Sequence, residues 1–349
     1  MEFDPNQIIP IAEKNVGGFS ASGDPVPLSG GNLNHIWRVP GTSHNVIVKY
    51  APPYIAGQPD IPLDPMRIHF EAKALQQFTD CSALHQLKSN QISPPELYHF
   101  DEENHLLIME DVGKEGGLFS GDLDEMHMKL SATLGGFIGN LHRETAGNSW
   151  FRENFNNTGI QQTRKQVQYD GVENFLVSAG ITPDQNAVDH ARNLGERLLT
   201  PGKCMVMGDL WPPSLVIQQD RLRIIDWEFA HYGYPLQDVA HFAAHCFMYH
   251  KRFSGELGRN FKTVWQNFLS GYREGCGKRF DALLSRKEVE SMNIHFGAEI
   301  LIRTIGTFQE GYIFANHQGN GAEELIAIAV NRMRNPGWFA ENPGDDLLF

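Results

Sequence analysis

Cysteine is sparse in this chain of 349 residues: the four present, Cys81, Cys204, Cys246 and Cys276, lie far apart with no Cys-x-x-Cys pair. That pattern excludes a cysteine zinc site and a disulfide framework, and it reads as isolated thiols in a reducing compartment. Basic residues are also short, 29 Lys and Arg against 42 Asp and Glu, for a formal charge of −13. Nucleic-acid binding wants a basic face, so a nucleic-acid partner is not expected. A nucleotide is still admitted, because its phosphates are met by one or two cations, backbone amides and a metal ion. No uncharged apolar run is long enough to cross a bilayer, and residues 1–5 have neither the basic start nor the apolar stretch of a signal peptide. A membrane partner is therefore not expected, and the expected compartment is the cytoplasm.

What is present is strand-like in the first third and helical afterwards. After a polar turn at 29–34, His35-Ile36-Trp37-Arg38-Val39 and Val46-Ile47-Val48-Lys49-Tyr50 read as paired strands. A Pro-rich loop over 52–65 leads to a helix predicted at 66–75, with Asp64 and Pro65 as its N-cap and first-turn residue. A second strand pair is predicted at 96–100 and 105–110. Beyond Gly113, helices are predicted at 126–144, with Leu134, Ile138 and Leu141 on one stripe, at 261–272 and at 289–305. The expected class is α+β: a small β-rich lobe over 1–112 and a larger, mostly helical lobe over 113–349.

Two acidic sites stand out in the second lobe. Met207-Gly208-Asp209-Leu210-Trp211 puts a carboxylate on a tight loop, and Arg223-Ile224-Ile225-Asp226-Trp227-Glu228 ends an apolar strand in a carboxylate pair. Phosphoryl transfer needs such a layout, with one acid to orient or deprotonate a hydroxyl and others to hold Mg²⁺. Singly, Asp209 is also a good turn residue, Asp226 a strand-end cap and Glu228 a surface carboxylate. Lys49 could be a strand-edge charge, yet a lysine about fifteen residues beyond a Gly-rich hairpin is where a kinase meets the α/β-phosphates. Glu71 on the next helix could pair with it or face solvent. The order Gly loop, Lys49, Glu71, Asp209, Asp226 favours the joint reading.

With those residues in place, the chain resembles the aminoglycoside phosphotransferase and choline kinase superfamily, the small-molecule branch of the protein-kinase-like fold. Gly31-Asn32-Leu33-Asn34 and Asp226-Trp227-Glu228 are similar to the methylthioribose kinases. Leu28-Ser29-Gly30-Gly31, Leu107-Ile108-Met109-Glu110-Asp111-Val112-Gly113-Lys114, Ile138-Gly139-Asn140-Leu141-His142 and Val206-Met207-Gly208-Asp209-Leu210-Trp211 are similar to the fungal 4-hydroxytryptamine kinases. The resemblance, over residues 25–250, implies a bilobal fold and ATP- and Mg²⁺-dependent transfer to a hydroxyl of a small molecule. It implies that Gly30, Gly31 and Asn32 cover the phosphates and that Lys49, paired with Glu71, contacts them. Glu110 and Val112 would offer backbone groups to adenine, with Met109 beside it. Asp209 would be the catalytic base, and Asp226, Glu228 and Ser214 would face the metal.

The chain departs from the pattern at Met207, where the superfamily has His, and at Ser214, where it has Asn. These departures admit a silent nucleotide-binding protein as an alternative. A 5-methylthioribose kinase is the other, although Ile302-Arg303-Thr304-Ile305-Gly306 keeps one arginine where that family has two. The acidic balance suits a hydroxylated amine as acceptor. Trp211 and Trp227 are read mainly as packing residues, with stacking on an acceptor as the alternative; Arg303 could cap its helix or reach the acceptor. His241 and His245 are four apart, compatible with two metal ligands, but with no third ligand near in sequence they read as ordinary polar helix residues.

Overall fold

The strand Val46–Tyr50 divides its side chains between two cores, as the two-residue period of a strand requires. Val46 and Val48 join Val39, Leu106 and Ile108 beneath Ile8 and Ala12, while Ile47 joins Leu107 and Met109 on the opposite side. Lys49 shares the Ile47 side by the same period and is fully buried there. The structure is a computed structural model and describes residues 3–28, 33–113, 117–119, 123–309, 314, 321–343 and 346–348. Gly30, Gly31 and Asn32 lie outside the described residues.

The main sheet has five antiparallel strands in the order Val26–Pro27, His35–Val39, Val46–Tyr50, Leu106–Glu110, Leu97–Asp101. One face is covered by the helix Ile8–Asn15, which the sequence reading did not include. The helix Arg67–Gln76 packs on the segment Trp227–Phe229 from the second lobe. Its cap differs from expectation: Met66 is the N-cap, and Asp64 Oδ1 accepts the Met66 N–H at 2.9 Å in the turn before it.

In the second lobe, the helices Glu125–Thr145 and Gly255–Cys276 form the most extensive packed pair. A Cβ on Gly135 would sit 2.0 Å from Phe268 O, so only glycine admits this approach. The hairpin Leu215–Gln218 and Arg221–Ile224 gains a third, parallel strand from Ile92–Ser93, which ties the two lobes together. Cys204–Val206 pairs antiparallel with His231–Gly233, and this pair brackets both acidic loops. The helices Leu236–Arg252, Arg286–Thr304 and Ala322–Arg334 complete the lobe. Among the described residues, no helix is long and apolar enough to cross a membrane.

Candidate active site

Lys49 reaches across the interface between the lobes. Its Nζ lies 2.8 Å from Glu71 Oε2, 2.9 Å from Asp226 Oδ1 and 3.5 Å from Glu228 Oε1. Burial alone would push the ammonium down, but Asp226, Glu228 and Glu71 together hold it well above its usual range. Arg67, one helical turn before Glu71, is also buried and sits 3.1 Å from Glu228 Oε2, with further bonds to the carbonyls of Pro52, Asp64 and Leu33. The (i, i+4) spacing of Arg67 and Glu71 puts both on one helix face. That spacing was the signal by which sequence reading could have found Arg67.

Asp226 adopts a left-handed backbone conformation, φ 64°, uncommon for a residue other than glycine. Its side chain keeps 32% exposure, while Glu228 is almost fully enclosed, accepting from Asn34 Nδ2 at 2.8 Å. Burial pushes Glu228 up, but Lys49 and Arg67 hold its carboxyl below the usual range. Two carboxylates in one place suit a hard divalent cation such as Mg²⁺. The donor set fits: Asp226 is the accessible oxygen source, and Glu228 lies beside it under its compensating cations. Ser214 is different. Its Oγ is buried without a hydrogen-bond partner among the described residues, and it does not line the cavity shared by Asp226 and Glu228. The Ser214 carbonyl instead accepts the Ile225 N–H at 2.9 Å, fixing the residue before Asp226.

The loop carrying Asp209 is held from below. Asp238, in the first turn of Leu236–Arg252, accepts the amides of Met207 at 2.9 Å and Gly208 at 2.7 Å, and its Oδ2 lies 2.9 Å from His142 Nε2. Met207 is itself fully buried, so its side chain packs while its amide anchors the loop. Gly208 has φ +86°, and a Cβ there would meet Phe229 O at 2.5 Å. Arg164 grips the result, donating to Gly208 O and to Asp209 Oδ1, the latter at 2.8 Å. Burial pushes the Asp209 carboxyl up to about 6, against the opposing pull of Arg164 and Arg303.

Asp209, Asp226 and Glu228 open onto one cavity. Its walls are largely apolar, including Leu33, Ile55, Leu63, Ile160, Phe229 and Phe308. Arg164 comes from the end of the helix Thr158–Arg164, which continues into a π-helical turn over Lys165–Tyr169 with Asp170 N–H bonded to Lys165 O. The wider turn presents Arg164, Val167 and Gln168 to the same cavity. Trp211 lines it too, with the Arg303 guanidinium 4.3 Å from its ring centroid.

Stacking of Trp227 on an acceptor, the alternative to packing, does not fit the structure. Trp227 does not face the cavity: it is fully buried, donates to Ile224 O at 2.9 Å, and packs 5.2 Å from the Phe78 ring centroid. Left-handed Asp226 leads into a 3-10 turn over Trp227–Phe229, and the turn points the indole into the core while Asp226 and Glu228 face the cavity. At the connection between the lobes, the Glu110 N–H is taken by Glu96 O at 2.9 Å and its carboxylate by Arg223, so a backbone contact from Glu110 to adenine would use its carbonyl. Met109 is buried on the sheet face turned to the second lobe, and Val112 is buried beside it in the chain.

His241 and His245 of Leu236–Arg252 are fully buried. His241 and His245 meet Glu299 of the helix Arg286–Thr304, all three offering atoms within 4.8 Å of one another. Glu299 is already engaged, by Arg303 Nε at 2.8 Å and Gln168 Nε2 at 2.8 Å. Burial pushes its carboxyl up, but His241, Arg303 and His245 hold it well below the usual range. With a guanidinium on the carboxylate, the cluster is a hydrogen-bonded network in which His241 and Glu299 form part of the cavity wall. Sequence reading missed Arg164, Gln168 and Glu299, each isolated among polar or apolar neighbours with no local pattern.

A small sheet-rich lobe, a buried lysine–glutamate pair and two acidic loops on one cleft define a kinase-like architecture. The chain belongs to the phosphotransferase enzyme family, whose model matches residues 25–275. It is 29% identical over 270 residues to a 4-hydroxytryptamine kinase of Psilocybe cyanescens, covering 70% of this chain and 72% of that protein. It is 25% identical over 291 residues to a methylthioribose kinase of Exiguobacterium sibiricum, covering 75% and 70%. In fold it is similar to choline kinase from Cryptosporidium parvum, with a TM-score of 0.54 at 14% identity over 99% of this chain and 98% of that one.

Proposed function

We propose that this ATP-dependent small-molecule phosphotransferase transfers the γ-phosphate to a hydroxyl on an acceptor with a flat, largely apolar body, a hydroxylated aromatic amine being the best fit. The cavity carries this reading: Asp209, Asp226, Glu228 and Glu299 line it together with the apolar Leu33, Ile55, Leu63, Ile160 and Phe229. A polyhydroxylated sugar or aminoglycoside would set some of its hydroxyls against those apolar residues, at a cost of about 1–3 kcal/mol for each one left without a partner. The names of the two relatives at 29% and 25% identity, 4-hydroxytryptamine kinase and methylthioribose kinase, bracket the choice, and the apolar wall favours the first.

In this reading Asp209, clamped through Oδ1 by Arg164, turns Oδ2 to the acceptor hydroxyl and takes its proton as the bond to phosphorus forms. Lys49 holds the α/β-phosphates and Glu71 fixes the ammonium. Asp226, with Glu228 beside it, would hold Mg²⁺, which would supply positive charge to offset that of the phosphates. The enclosed setting makes each of these interactions stronger than it would be in water. Met207 does not argue for a silent protein, since Asp238 holds the loop through backbone amides whatever side chain stands there.

The test is ADP release with Mg²⁺ across hydroxyindole amines, choline, methylthioribose and aminoglycosides. Highest kcat/KM on a hydroxyindole amine supports the assignment; preference for methylthioribose or an aminoglycoside overturns the acceptor class, and no turnover on any of them favours a silent nucleotide-binding protein.

A further inference from the structure

Three hydrogen-bonding side chains run in line from the interior to Asp209. Tyr169 Oη lies 2.6 Å from His295 Nδ1, His295 Nε2 lies 3.1 Å from His241 Nδ1, and His241 Nε2 lies 3.4 Å from Asp209 Oδ1. They come from three separate elements, the π-helical turn and the helices Arg286–Thr304 and Leu236–Arg252. Tyr169, His295 and His241 are all at most 1% exposed, and among the described residues His241 Nε2 has no other hydrogen-bond partner while His241 lines the acceptor cavity.

The hydrogens on this chain can be placed by elimination. Burial lowers both histidines, His295 to about 3 and His241 well below its usual range, so each imidazole is neutral and carries one N–H. Suppose His295 Nδ1 donated to Tyr169. The phenol hydrogen would then have no acceptor among the described residues, and His241 would turn a bare nitrogen toward the Asp209 carboxylate. Both faults vanish in the opposite order. Tyr169 O–H donates to His295 Nδ1, His295 Nε2–H donates to His241 Nδ1, and His241 Nε2–H is left pointing at Asp209. Glu299 Oε2, 3.6 Å from His241 Nδ1, is meanwhile supplied by Gln168.

We propose that His241 is a positioning residue for Asp209: locked as the Nε2–H tautomer by His295 and Tyr169, it shares Oδ1 with Arg164 and so reserves Oδ2 for the acceptor hydroxyl. This rests on Asp209 acting as the base. The 3.4 Å separation is long for a hydrogen bond, as contacts in substrate-free sites often are before the complex tightens them. A donor on a carboxylate favours its ionised form, so the chain opposes the burial that raises Asp209. The other charged groups facing Asp209 are Arg164 and Arg303, which lower it, and Glu299 and Asp226, which raise it. Around His241 they are Glu299, His245, Arg164 and His295.

The test is the pH profile of kcat/KM for Asp209→Asn, His241→Leu, His241→Gln and Tyr169→Phe, with thermal melting as a check on folding. His241→Leu should move the acidic limb upward by about one pH unit and lower kcat about fivefold at pH 6, with the KM for ATP unchanged. His241→Gln, whose amide nitrogen reaches the Nε2 position, should restore the limb; Tyr169→Phe should shift it in the same direction by less. Imidazole ¹⁵N shifts of the wild-type protein should show His241 protonated on Nε2, and in Tyr169→Phe a mixture of tautomers. An Nδ1–H tautomer in the wild type, or a folded His241→Leu with an unmoved limb, overturns the proposal. Full turnover by Asp209→Asn would instead overturn the assignment of the base on which it stands.

Discussion

Lys49 and Asp226 are 177 positions apart in the chain and 2.9 Å apart in the fold. One comes from a strand of the first lobe and the other from the loop that follows the hairpin of the second. Their ion pair marks where the lobes meet, and most of the chemistry assigned to this protein is arranged around it.

Removing the cation should be costly twice over. Lys49→Met leaves Glu71 and Glu228 buried without their shared partner, and losing one side of a buried pair destabilises by about 3–5 kcal/mol. Denaturant unfolding should show that loss. Turnover should fall by about two orders of magnitude or more, with the KM for ATP raised.

Asp209→Asn should keep ATP binding, read by calorimetry, and lose about 10²–10⁴-fold in turnover. The wild type should gain activity as pH rises through about 6, where burial has moved the Asp209 carboxyl. Stability should run the other way. A carboxyl raised on folding makes its contribution in full below the unfolded value of about 3.9 and loses it as pH climbs through about 6. Melting temperature and rate measured on the same buffers should therefore move in opposite directions across that window.

The two tryptophans near the acidic loops should separate cleanly. Trp227→Ala opens a cavity in the core between Phe78 and Phe137, for about 3–5 kcal/mol of stability, with kcat per folded molecule near wild type. Trp211→Ala should raise the KM for the acceptor and leave that for ATP unchanged, because Trp211 lines the cavity under Arg303.

Much of this architecture was visible before the fold. Val46–Tyr50 and His35–Val39 are the strands that alternation predicted, and the helices at 126–144, 261–272 and 289–305 lie within Glu125–Thr145, Gly255–Cys276 and, but for its last residue, Arg286–Thr304. Lys49, Glu71, Asp226 and Glu228 converge because regular elements with a fixed period carry the first two and a short turn carries the others. What stayed hidden lacked local pattern. Arg164 sits in the polar run Gln161-Gln162-Thr163-Arg164-Lys165, which reads as a solvated face until the π-helical turn sets its direction. Glu299 and His295 face inward from a helix buried on nearly every side, where amphipathic periodicity has nothing to report. Trp227 is the reverse case: adjacency in sequence to two acidic residues left stacking on an acceptor open beside packing, and the fold buries the indole in the core.

The most direct test of the account is Mg²⁺-dependent ATP binding by the wild type and Asp226→Asn, each followed by calorimetry with and without the metal. The wild type should bind ATP more tightly with Mg²⁺ present, and Asp226→Asn should lose that dependence together with turnover. An Asp226→Asn protein that binds Mg²⁺-ATP and turns over at the wild-type rate would contradict it.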